Sequence, residues 1–124
     1  MITTFSEYQK EANFLKISLD KFLERHPETP DDVKLLLAVA YDGLGMGEAG
    51  EVQGKIKKII RDDAGRITHE HVAEIKKELG DMLWYIASMC DNLEIKMEDV
   101  AQGNIEKLKS RRDRGTLHGS GDNR

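Results

Sequence analysis

The chain has 124 residues, which suits one domain with a core of its own. Hydrophobic residues make up 39% of it, with Leu, Ile and Val throughout, which excludes global disorder. The formal charge of −4 argues against a general nucleic-acid binder, and the one cysteine, Cys90, excludes an intrachain disulfide framework. The opening MITTFSEYQKEA has no basic or apolar signal region, and no apolar run approaches a membrane span. A soluble, cytoplasmic protein is expected, with neither a nucleic-acid nor a membrane partner.

Four helical segments and no strand pattern can be read. The first is expected from Thr4 to His26, opened by a capping box of Thr4 and Glu7. Its apolar stripe is Phe5, Tyr8, Ala12, Leu15, Leu19 and Phe22. The second is expected to begin with Thr29 as N-cap and Pro30 at the first helical position, and to reach Arg61. Gly43, Gly47, Gly50 and Gly54 follow at steps of 4, 3 and 4, so they share one helix face. Each interior glycine costs roughly 1 kcal/mol relative to alanine. The segment therefore either stays helical, with a bare face open to a close neighbour, or breaks near Gly43–Gly47.

Asp62 to Arg66 reads as a turn. The third helix is expected from His69 to Asn92 with Thr68 as N-cap, and its stripe is Val72, Ile75, Leu79, Met82, Ile86, Met89 and Leu93. Its second half, Met82–Cys90, is apolar nearly all round, as in a helix surrounded on several sides, and Cys90 is expected as a buried thiol. The fourth helix is expected from Met97 to Arg112, poorly capped by Lys96. The domain is placed at 1–112 and a loop-like tail at 113–124. The fold class expected is all-α, a four-helix bundle-like protomer.

Two acidic pairs carry the chemistry. Glu48 and Glu51 lie three residues apart on the second helix, and Glu78 and Asp81 three apart on the third. That spacing makes each pair a pincer on one helix face. Leu44 and Val52 flank the first pair, and Met82 follows Glu78 by one turn. Carboxylates gathered at a core edge repel and are costly to desolvate. A hard divalent cation, Mg²⁺ or Mn²⁺, removes both problems and suits oxygen donors without His or Cys. Such pairs also occur on solvated faces, where they bind nothing. Glu74 is expected either as an outer group or simply as exposed.

Glu48-x-x-Glu51, twenty-six intervening residues and Glu78-x-x-Asp81 resemble the signature of the MazG-like nucleoside triphosphate pyrophosphohydrolases, of the all-α NTP pyrophosphatase superfamily. The strings GEAGEVQGKIKK (Gly47–Lys58) and KKELGDMLWYIA (Lys76–Ala87) are similar to the family beyond the acids. The likeness spans Leu36–Arg114, and the tail RGTLHGSGDNR resembles the ending of short phage- or cassette-type members. The resemblance implies cleavage of a nucleoside triphosphate to a monophosphate and pyrophosphate, in a house-cleaning or pool-shaping role. It implies Mg²⁺ held by Glu48, Glu51, Glu78 and Asp81, and homodimers or homotetramers with sites near subunit contacts.

Lys55 lies one turn past Glu51, where it could meet a phosphate. Asn104, Lys107 and Arg111 share a helix face that resembles substrate-contacting positions of the family, or is a charged helix end. Trp84 could stack on a base or be buried in a core or interface. No histidine is assigned to metal. A di-iron carboxylate bundle is disfavoured, because no histidine has a Glu three residues before it. A phosphoribosyl-ATP pyrophosphohydrolase has a similar acid set, but nothing here favours that narrow substrate. A non-catalytic helical interaction module is the alternative outside enzymes.

Overall fold

The computed structural model describes residues 1–14, 18–116 and 118–121, without the side chains of 18, 19 and 22. Its regular elements are α1 (Phe5–Phe14), α2 (Ser18–Arg25), α3 (Asp31–Gly45), a 3-10 turn (Met46–Glu48), α4 (Ala49–Asp62), α5 (His69–Asn92) and α6 (Met97–Asp113). Among the described residues there is no strand, and the all-α expectation holds. Among the described residues no helix is long and apolar enough to cross a membrane.

α5 is the hub. It packs against α1, α3, the 3-10 turn and α4, while α6 rests on α1 and α2 on α3. The reason is its apolar second half: Ala87, Ser88 and Cys90 are buried, and burial pushes the Cys90 thiol pKa up. Ala12, Ala87, Cys90 and Met97 form the core cluster, and Tyr8, Leu83, Trp84 and Ile86 pack around it. The expected α5 stripe is covered only in part, since Val72, Leu79 and Leu93 stay exposed.

The segment expected over Thr4–His26 appears as α1 and α2. Leu15 of its stripe lies outside the described residues, as do the side chains of Leu19 and Phe22. The capping box is present: Thr4 Oγ1 accepts the Glu7 N–H at 3.1 Å, and Glu7 Oε2 accepts the Thr4 N–H at 3.1 Å. α5 has a second one. Thr68 accepts the His71 N–H, and His71 Nδ1 accepts the Thr68 N–H at 3.2 Å, leaving Nε2 to face Asp63 at 3.3 Å.

The start of α3 corrects the sequence expectation. Thr29 is not the N-cap: its N–H closes a turn onto the His26 carbonyl, and extended Pro30 (φ −60°, ψ 149°) stands in the cap position. Between α3 and α4 the break near Gly43–Gly47 is realised as a tightening. Gly45, Met46, Glu48 and Ala49 all keep right-handed helical angles while the winding narrows to 3-10 over one turn. Gly47, Gly50 and Gly54 look into open space, and the close approach falls at Gly45, outside their spacing.

Lys96 offers α6 no cap, as expected, and α1 supplies one across the fold. Gln9 Oε1 accepts the Met97 N–H at 3.0 Å, and Gln9 Nε2 donates to the Ile95 carbonyl at 2.9 Å. Glu98 in turn accepts from the Ser6 N–H and hydroxyl at the start of α1. At its other end α6 closes in a Schellman motif. Gly115 (φ 67°) donates to the Arg112 carbonyl, and Thr116 to that of Arg111.

The Ser6 hydroxyl, with the Ser6 N–H behind it, holds the Glu98 carboxyl below the usual carboxylate range. A pKa lowered by folding adds stability above the unfolded-state value, and that stability is lost as pH falls through the folded one. Glu98→Gln is therefore expected to destabilise the protein at neutral pH and to differ less from wild type in acid. Urea midpoints compared at about pH 7 and about pH 3 check this.

Candidate metal centre

Glu48 ends the 3-10 turn, and Glu78 and Asp81 are one turn apart on α5. One carboxylate oxygen from each lies within 4.8 Å of the others. Glu48 and Glu78 are half-buried and Asp81 is exposed. The α5 pincer thus meets one arm of the other pair. Glu51, in the first turn of α4, is exposed and outside this group.

The donor set suits a hard cation. An octahedral Mg²⁺ with oxygens at about 2.1 Å holds neighbouring ligands about 3 Å apart and opposite ones about 4.2 Å apart. Three carboxylate oxygens within 4.8 Å need only a small closure to meet that geometry.

Two aromatic side chains border the group. A 3-10 turn eclipses residues three apart, so Gly45 and Glu48 fall in line. The Tyr85 ring lies directly over Gly45, where a Cβ would overlap it. Tyr85 meets Trp84 edge-on at 5.0 Å and Tyr41 at 6.3 Å. Burial, then Tyr41 and the charges of Glu48 and Asp81, push the Tyr85 phenol up, and burial with the Asp81 charge does the same to Tyr8. Gly45 and Tyr41 carry no periodic signal in the sequence.

Lys55 reaches across from α4 to α5. Its Nζ is 3.1 Å from Glu78 Oε1 and 3.2 Å from Glu74 Oε2, and Lys77 holds Glu74 Oε1 at 2.7 Å. Glu78 and then Glu74 raise the Lys55 pKa, while Lys77 and then Lys55 lower that of Glu74. Asp42 is the acid that sequence reasoning missed. It is 2% exposed, and Asn92 Nδ2 donates to it at 2.7 Å, tying α3 to the end of α5. Its one signal is a charge inside the apolar run LLLAVAYDGLG.

The remaining candidates are not members of the acidic group. α6 packs on α1 and has no comparable packing against α4, and on it Asn104 and Lys107 are exposed. Arg111 is buried, with Nη2 3.4 Å from the Gly121 carbonyl, under its own tail. Trp84 packs against the core cluster.

A family model for the MazG nucleotide pyrophosphohydrolase domain matches residues 44–116. The chain belongs to that family. The MazG match opens just before Glu48 and takes in all the paired acids, Lys55 and α6. The "Gene 37 protein" of Mycobacterium phage L5 is 45% identical over 94 residues, which cover 75% of this chain and 82% of that protein. No solved structure matches the chain. α1, α2 and most of α3 precede the MazG match, yet α1 supplies Ala12 and Tyr8 to the α5 core.

Gly45→Ala tests the contact beside the acids. Alanine favours an exposed helix by about 1 kcal/mol over glycine, but here its methyl meets a ring wedged between Trp84 and Tyr41. A net destabilisation of about 1–3 kcal/mol is expected in urea denaturation.

Proposed function

We infer that this MazG-domain chain is a Mg²⁺-dependent nucleoside triphosphate pyrophosphohydrolase that releases a nucleoside monophosphate and pyrophosphate. The observation that carries this is the convergence of Glu48, Glu78 and Asp81 within 4.8 Å inside a MazG domain. These three would hold the metal, and Glu51, three residues past Glu48 in the first turn of α4, is proposed as a fourth ligand. A bound Mg²⁺, or Mn²⁺ in its place, would offset the charges of carboxylates and triphosphate, polarise the α-phosphate and acidify water. The chain's own part is to fix the three carboxylates, and one of them accepts the proton of the attacking water.

The site is proposed to work in a homodimer or homotetramer. A compact monomer of 14.0 kDa exposes about 6,700 Å², whereas this chain exposes 9430 Å². Leu36 (66%), Leu44 (81%) and Ile60 (66%) are large apolar side chains left open on α3 and α4. A second copy covering such faces would remove an excess unusual for a soluble monomer. Asn104 and Lys107, exposed on α6, would then serve a triphosphate at the neighbour's site. Trp84 and Arg111 are engaged in core and tail, which favours structural roles for both.

Nucleoside triphosphates incubated with the protein and Mg²⁺ are expected to yield pyrophosphate, resolved from orthophosphate by phosphorus NMR. Glu48→Gln, Glu78→Gln and Asp81→Asn are each expected to lower kcat/KM by about a hundredfold or more with helicity retained. Orthophosphate as first product, or two of these variants at wild-type rate, overturns the assignment. Light scattering over a dilution series is expected to give a multiple of 14.0 kDa.

A further inference from the structure

Lys55 stands between two carboxylates of different standing. Glu78 Oε1, at 3.1 Å, belongs to the acidic group, whereas Glu74 Oε2, at 3.2 Å, is one turn earlier on α5 and outside it. Glu51 is four residues back on the same helix, yet it is not among the ion-pair partners of Lys55. Among the described ion pairs, this is the one that places a cation on a carboxylate of the group. The side chains are unequally open: Glu78 17%, Lys55 23% and Glu74 49% exposed. An ammonium and a divalent cation on one carboxylate repel each other and draw on the same negative charge. A lysine carries three donors on a flexible stem, so it can release one acceptor and keep another with little movement.

Resting on the metal role inferred above for Glu48, Glu78 and Asp81, we propose that Lys55 is a resident counter-ion of the acidic group, neutralising Glu78 in the metal-free protein and withdrawing onto Glu74 when a divalent cation binds. Lys55 is then a positioning residue that acts through a metal ligand, and Glu74 is the carboxylate on which it parks. Lys77 takes only Oε1 of Glu74, which leaves Oε2 for Lys55. Metal affinity is set by this competition: the ammonium steadies the acids before metal arrives and weakens the grip on metal afterwards.

The test uses the full chain without nucleotide, titrated with Mn²⁺ and read by the EPR signal of the free ion. Lys55→Met removes the competitor, so Mn²⁺ is expected to bind about fivefold tighter or more, while the metal-free melting temperature falls. Lys55→Gln makes the same comparison should the Met variant melt too low. Glu74→Gln removes the parking site and is expected to weaken Mn²⁺ binding by a similar factor. In the Lys55→Met background, Glu74→Gln is expected to change nothing, because its effect runs through the ammonium.

Equal or weaker Mn²⁺ binding by both Lys55 variants overturns the proposal. So does a Glu74→Gln effect that is the same with and without Lys55, since Glu74 would then act only as a distant charge. If wild type binds Mn²⁺, Glu78→Gln loses it and the Lys55 variants are unchanged, the counter-ion role fails alone. If wild type binds none, the metal centre fails and the counter-ion with it.

Discussion

Bringing the Glu48, Glu78 and Asp81 carboxylates within 4.8 Å of one another sets three like charges at a partly buried helix junction. Such a group opens unless the backbone holds it or a cation offsets it. The fold does both. Burial of α5 by its neighbours fixes the Glu78–Asp81 pincer, and the 3-10 turn swings Glu48 toward it. Gly45 leaves room for the Tyr85 ring against that turn, where any side-chain carbon would overlap it. Lys55 supplies positive charge from the side.

The features legible in the sequence were those decided within a few residues. The Thr4–Glu7 and Thr68 caps, the Asp62–Arg66 turn and the α5 pincer each depend on local spacing, and each is present. Spacing gives a face but not what meets it. The four-step glycines share a face, yet three of them meet nothing, and the close contact is at Gly45, which is visible only once Tyr85 is placed. Val72 and Leu79 keep helical period but stay exposed, because no element among the described residues covers them.

The candidate site divides in the same way. That Glu78 and Asp81 point together follows from an i, i+3 relation. That Glu48 joins them while Glu51 does not depends on one turn of narrowed winding, which the sequence left open as a choice between helix and break. The partners of Lys55 belong to another helix, and no pattern along α4 specifies them. Asp42 was hidden for a related reason: its partner, Asn92, lies fifty residues away.

The hydrogen bonds of Gln9 and Ser6 join positions 86 to 92 residues apart. The entropy cost of closing a loop grows only with the logarithm of its length, and the packing of α1 on α5 shares that cost with these polar contacts. Contacts of this separation slow folding, because the chain must be largely ordered before they form. During synthesis Gln9 emerges before α5 and Met97 after it, so Gln9 waits for its partners until α5 has been made. α1 thus serves two partners far along the chain, packing on α5 and capping the start of α6.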